Sequence, residues 1–238
     1  KDGQAYPLTQ GTFIKYLESD DRELRASAFR NVYKAYGAHN NTLGATLAGE
    51  VKKNVFNART HHYRSARERA LSNNHIPEAV YDNLIKTVHK YLPLLHRYTK
   101  LRQELLGLDD LKMYDLYTPL VKDVKFEMPY EEAKSWMLKA LEPMGEEYLN
   151  VVKEGLDNRW VDVYENKGKR SGGYSSGGHL TNPFILLNWS DTVSDLYTLV
   201  HEFGHSAHSY FSRQNQPSNL SDYTIFVAEV ASTCNEAL

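Results

Sequence analysis

Apolar positions recur with a helical period through most of the chain. Leu24, Ala28 and Val32 stand four residues apart between Arg and Glu side chains, which predicts a helix over 20–36. Asp20-Asp21-Arg22-Glu23 gives it an acidic start, favourable at the positive end of a helix dipole. Asn40-Asn41 interrupts the pattern, and a second helical run over 42–71 carries Leu43, Leu47, Val51 and Val55 on one stripe. Asn73 to Pro77 reads as a turn. A long helix follows over 78–106, with an adjustment at Pro93, and Gly107-Leu108-Asp109-Asp110 ends it. Residues 114–121 form an apolar loop holding Pro119, and a helix over 131–157 is broken at Pro143.

After Trp160 the period changes. Trp160 to Tyr164 and Pro183 to Trp189 read as strands, separated by a Gly/Ser-rich stretch over 167–178. The helical period returns over 195–211, passes a loop at Pro217, and resumes from about residue 222. The expected fold is therefore mainly α, with a small antiparallel β-sheet beside the helix over 195–211. It divides into a helical portion (1–157), a sheet portion (158–190) and a pair of helices (191–238). The last apolar-periodic stretch reaches Leu238 without a Gly or a basic final turn, so the polypeptide is expected to continue in its native context.

Composition removes several classes. With 41% hydrophobic and 24% charged residues in 238, the chain is neither disordered nor collagen-like. The 28 Lys+Arg against 30 Asp+Glu leave a net charge of -2, which gives no global attraction to nucleic acid or an anionic membrane. No run of about 18 apolar residues suggests a membrane span. The single Cys234 excludes an internal disulfide framework and a cysteine-based zinc knuckle, and points to a reducing, cytoplasmic setting. Arg59, Arg64, Arg67 and Arg69 cluster beside His61 and His62. This cluster is either an anion or nucleic-acid site or a solvated helix face, and the near-neutral charge favours the latter. His61 and His62 cannot chelate one metal from a single helix, because adjacent residues diverge by about 100°.

The chemistry concentrates in His201-Glu202-Phe203-Gly204-His205. Residues four apart share a helix face, so both imidazoles can reach one metal, and two imidazole nitrogens suit zinc. Glu202 then faces the open coordination position, where it can take a proton from water. Gly204 removes side-chain bulk and allows another element to approach. A third protein ligand is needed. His208 shares the face, but three ligands on one straight helix cannot surround a tetrahedral ion, so His208 is read as a packing or supporting residue. A metzincin would place its third histidine at Phe211. Glu229 is the better candidate, since a carboxylate in the apolar stretch Phe226 to Thr233 is costly unless paired or metal-bound, and the HExxH helix, the Pro217 loop and a second helix bearing a glutamate make the plan of a zincin-like, gluzincin core. Glu236, seven residues on, either accepts an imidazole N–H and orients a ligand or is a plain surface carboxylate.

His201 to His208 together with Phe226-Val227-Ala228-Glu229-Val230-Ala231-Ser232-Thr233 resembles the oligoendopeptidase F family of zinc metallopeptidases, relatives of thimet oligopeptidase and neurolysin. Tyr114-Asp115-Leu116-Tyr117, Gly168 to Ser175 and Pro183 to Trp189 are similar to that family as well, so the resemblance covers nearly the whole chain. It implies a mostly helical protein with a deep channel that cleaves short peptides. It implies one zinc per chain held by His201, His205 and Glu229, with Glu202 as base and proton shuttle. Gly172, Gly173 and Tyr174 would lie along the substrate backbone; the alternative is plain turn chemistry at the glycines. The family carries its transition-state-stabilising Tyr and His well beyond the glutamate ligand and has an N-terminal lobe, neither of which is in this sequence. The chain is thus expected to be the central part of a catalytic domain, with the rest of the peptidase as its possible partner. His179 and Tyr174 are the candidates in hand to reach the site. Two rivals differ in class. One is an inactive peptide-binding relative with a structural zinc, which would require a fourth protein ligand such as His208 or His179. The other is nucleic-acid binding through residues 59–69, which would be strongly salt-dependent.

Overall fold

The computed structural model describes residues 5–121 and 127–238. Residues 1–4 and 122–126, part of the stretch expected to be helical, lie outside the described residues. In chain order the elements are α1 (Gln10–Leu17), α2 (Arg22–Ala38), α3 (Asn40–Thr60), α4 (Ala66–Ser72), α5 (Glu78–Leu105), α6 (Tyr130–Ala140), α7 (Glu146–Asp157), β1 (Val161–Tyr164), β2 (Tyr174–Ser176), β3 (Phe184–Trp189), α8 (Val193–Asn215) and α9 (Ile225–Glu236). Short 3-10 turns lie at Met113–Asp115 and Glu142–Met144. No helix among the described residues is long and apolar enough to cross a membrane. The chain forms two compact units, one over residues 1–8 and 16–122, the other over 9–15 and 123–238.

In the first unit, Asp21 caps α2, its carboxylate accepting the N–H groups of Glu23 at 3.0 Å and Leu24 at 3.4 Å. Two boundaries differ from expectation. The break falls at His39, and Asn40-Asn41 begin α3. The expected single helix over 42–71 is split, because His62 adopts a left-handed φ of 60° and Ser65 restarts the chain as the N-cap of α4. Pro93 is accommodated inside α5. Gly107, at φ 63°, closes α5 by donating to Glu104 O while Leu108 N–H reaches Gln103 O, a Schellman ending. Leu43, Leu47 and Val51 of the α3 stripe are exposed, as are Leu84, Val88 and Leu95 of α5. Arg64 pairs with Glu68, and Arg67 with Glu78 and Asp82, so half of the basic cluster is neutralised locally.

What ties this unit together is Asp115, fully buried. Its carboxylate accepts Nη2 of Arg22 at 2.9 Å, Nη2 of Arg25 at 2.8 Å and the backbone N–H of Lys112 at 3.0 Å. Arg102 adds its guanidinium to the carbonyls of Asp115 and Thr118. Burial alone would raise the Asp115 pKa, but the hydrogen bonds from Arg22, Arg25 and Lys112 outweigh it and hold the carboxyl below its ordinary value.

In the second unit the expected sheet forms, but it is mixed rather than wholly antiparallel. Its order is β1-β3-β2, with β2 antiparallel and β1 parallel to the central β3. The Gly-rich segment carries the chain from β1 across to β2 at the far edge, and the hairpin back inserts β3 between them. Alternation on β3 turns Ile185, Leu187 and Trp189 inward. They meet Leu199, Val200 and Phe203 of α8 and Ala133 and Met137 of α6 in one core. Trp189 satisfies its indole N–H on Met128 O at 3.1 Å. The break at Pro143 between α6 and α7 is as expected, completed by Gly145 at φ 87°. α8 opens with a capping box between Thr192 and Asp195. It crosses α9 at Gly204, where an added Cβ would stand 2.6 Å from Ser232 Cα and 2.8 Å from Ala231 O.

Two stability predictions follow from these contacts. Asp115→Ala strands two arginines and should cost roughly 3–5 kcal/mol in denaturant unfolding. Because the carboxyl pKa is depressed on folding, its contribution is present in full above the ordinary carboxylate value of about 3.9 and is lost as pH falls through the lowered value; the wild type should therefore approach the mutant in acid. Gly204→Ala presses on backbone that cannot step aside and should lower stability by about 1–3 kcal/mol. An unchanged midpoint would show that α9 shifts freely.

Candidate metal centre

α8 places His201 and His205 one turn apart, and the crossing at Gly204 brings Glu229 of α9 against them. The two Nε2 atoms are 3.1 Å apart, and Glu229 Oε2 lies 3.3 Å from His201 Nε2 and 3.6 Å from His205 Nε2. Ligand atoms about 2.0–2.1 Å from a tetrahedral zinc are separated by about 3.3 Å, so this donor set fits such an ion without rearrangement. Among the described residues these three form the group able to hold a metal; His208 and His179 are not part of it.

The surrounding bonds leave the ring nitrogens free for that purpose. His201 Nδ1 donates to Glu236 Oε1 at 2.5 Å, which orients the ring with Nε2 toward the other two donors. The Ala228 backbone lies near enough to act on the His205 ring. Burial holds the His205 pKa below the ordinary imidazole value, with Glu229 opposing and His201 and His208 acting in the same direction as burial. Glu229 Oε2 also accepts Ser232 Oγ at 2.9 Å. Glu229 is itself exposed, as are Phe226, Val227 and Val230 around it. Its approach to the histidines thus comes from the helix crossing, and the expected burial in an apolar stretch is not what places it.

Glu202 is 6% exposed. Its Oε2 is buried with no hydrogen-bond partner, and the Ser175 backbone lies near enough to act on the carboxylate. Burial raises its pKa, opposed by His201. Gly173 lies so close that a Cβ there would stand 2.7 Å from Thr198 Cγ2 and 3.4 Å from Glu202 Oε1. Gly172 takes φ 89°, and Tyr174 begins the edge strand β2 with its side chain exposed. A cleft of about 220 Å³ borders Gly172 and Gly173, walled by Gln10, Lys15, Asn188 and Asp195. His208 stacks on Tyr223, ring centroids 3.7 Å apart, and packs the helix rather than joining the donor group. His179 sits exposed between β2 and β3.

Sequence reasoning missed the residues that act through backbone or through the fold. The backbones of Ser175 and Ala228, which act on the pKa values of Glu202 and His205, carry no side-chain signal. Asn235, buried, donates to Val200 O at 3.1 Å and accepts Tyr148 Oη at 2.8 Å, joining α9 to α8 and α7. Ser232, three residues after Glu229, was within reach of a spacing argument.

The family model described as Peptidase family M3 matches residues 15–238. The "Oligopeptidase PepF" of Bacillus subtilis (strain 168) is 62% identical over 238 residues, all of this chain and 36% of that protein. The "Group B oligopeptidase PepB" of Streptococcus agalactiae is 54% identical over 98% of this chain and 39% of its own length. The crystal structure of oligoendopeptidase-F from Enterococcus faecium, 41% identical, superposes with a TM-score of 0.61 over 100% of this chain and 34% of its own. The chain thus spans about two fifths or less of the relatives it matches. The match over 15–238 includes the whole donor group, and the chain belongs to peptidase family M3.

Proposed function

We propose that this chain is the zinc-binding core of a peptidase that hydrolyses short peptides, with Glu202 as the base that activates water. The observation that carries the reading is the 3.1–3.6 Å triangle of His201, His205 and Glu229 with Glu202 beside it. Three donors leave one position open, which favours a catalytic over a closed structural site. Bound zinc would supply Lewis-acid polarisation of the scissile carbonyl and lower the pKa of water.

The chain's own residues do the rest. His201 and His205 offer ring nitrogens, and Glu236 orients the first of them. Glu202, not itself a ligand, takes a proton from the attacking water and returns it to the leaving amine; its raised pKa suits both halves of that transfer. β2 is an edge strand, so an extended peptide can lie along it through main-chain hydrogen bonds, and Gly173 lets the chain leading into it pack close to Glu202. The cleft beside Gly172 and Gly173 has room for a peptide side chain. The relatives' names, oligopeptidase and oligoendopeptidase, support short peptides as the substrate class.

Elemental mass spectrometry on protein purified without chelators should find about one zinc per chain. Glu202→Gln should keep that zinc and lose at least ~10²-fold in peptide turnover by the full polypeptide. Zinc-loaded mutant with unchanged turnover would overturn the role of Glu202. Glu236→Gln should weaken zinc binding by about 10–100-fold, measured by chelator competition. No zinc in the parent protein, even after addition and dialysis, would overturn the metal centre.

A further inference from the structure

Past its crossing with α8 at Gly204, α9 has one turn left in which to deliver Glu236. The last turn of a helix is where fraying starts. Over residues 233–238 Asn235 alone is buried, at 1% exposure, while its neighbours face water. Asn235 and Glu236 pair with consecutive residues of α8. Asn235 Nδ2 donates to Val200 O at 3.1 Å, and Glu236 Oε1 accepts from His201 Nδ1 at 2.5 Å.

The chemistry of these partners fixes which way the amide faces. Val200 lies inside α8, where the helix pattern commits its carbonyl to the Gly204 N–H, and the second lone pair takes Asn235. A carbonyl only accepts, so the end of the Asn235 amide that meets it must be the NH2. The amide oxygen is thereby turned to Tyr148, whose Oη donates to it at 2.8 Å. Tyr148 stands on α7, and its ring stacks on Phe211 of α8, centroids 6.2 Å apart. The amide is thus gripped at both ends by groups outside α9. It cannot turn, nor can the last turn of α9 slide or unwind, without losing a buried hydrogen bond.

We propose that Asn235 is a positioning residue for the metal centre: clamped between Val200 O and Tyr148 Oη, it holds the last turn of α9 in the register that brings the Glu236 carboxylate to His201. Glu229 comes before the crossing and is held there by Ser232, so Asn235 acts through Glu236 and not through the ligand on its own helix. Its effect on affinity rests on the zinc reading, while the tie itself can be read without metal.

Asn235→Leu and Tyr148→Phe are made in the full polypeptide, alone and each combined with Glu236→Gln. Leucine keeps a branched side chain and can make neither bond. In chelator competition Asn235→Leu should hold zinc about tenfold less tightly than the parent, and no less tightly than Glu236→Gln does. Tyr148→Phe, which leaves the Val200 bond in place, should weaken zinc in the same direction by less. In the Glu236→Gln background either change should move zinc affinity by no more than about twofold, because the carboxylate it positions is already gone. In the metal-free protein the His201 Nδ1 proton, observed by NMR after histidine labelling, should exchange with solvent at least about tenfold faster in Asn235→Leu.

A folded Asn235→Leu with parental zinc affinity or parental proton exchange would overturn the proposal. So would an equal loss of affinity in the Glu236→Gln background, which would make Asn235 a packing residue with no particular tie to the site. If Asn235→Leu does not fold, Tyr148→Phe decides by the same two measurements. A parent protein that takes up no zinc would overturn the metal centre instead, with exchange of the His201 proton still deciding the tie.

Discussion

The contact between α8 and α9 at Gly204 is the constraint on which the site depends. Two helices that touch backbone to backbone have a fixed separation, set by covalent atoms rather than by side chains that can change rotamer. That separation lets a glutamate on one helix meet two imidazoles on the other at 3.3 and 3.6 Å. The polar bonds across the same seam, Asn235 to Val200 O and Glu236 to His201, fix the rotation of α9 about its axis. Distance and rotation together determine where Glu229 points.

The core beneath serves the same end. Leu199, Val200 and Phe203 face inward against Ile185, Leu187 and Trp189, which leaves the opposite side of α8 for the histidines. Glu202 lies between these two faces, buried enough for its pKa to rise yet in reach of the strand edge. In the first unit a different device is used: one buried carboxylate, Asp115, gathers two arginines and a backbone N–H from segments far apart in sequence.

The helical fold and the donor residues were legible because both follow from a period. The i, i+4 spacing of His201 and His205 needs no tertiary information, and amphipathic stretches locate most helices to within a few residues. Strand pairing was not legible in this way. Whether β3 lies parallel or antiparallel to β1 depends on how the glycine segment crosses the sheet, which local composition does not encode. Asn40-Asn41 misled because asparagine serves a first helical turn as well as a break, whereas the true interruptions sit at His39 and at the left-handed His62. Glu229 was singled out for burial it does not have; its position is a tertiary fact that α9 alone does not reveal. The influence of the Ser175 backbone on Glu202 was invisible for a simpler reason, since the peptide group is common to every residue.

The exposed stripes of α3 and α5 have a thermodynamic consequence. Leu43, Leu47, Val51, Leu84, Val88 and Leu95 are already in contact with water in this chain. Melting these helices therefore hydrates little new apolar surface, and hydration of apolar surface is the main source of the heat-capacity increment of unfolding. The first unit should have a shallow stability curve, changing little on cooling, while the second, with its enclosed core, curves as a globular domain does.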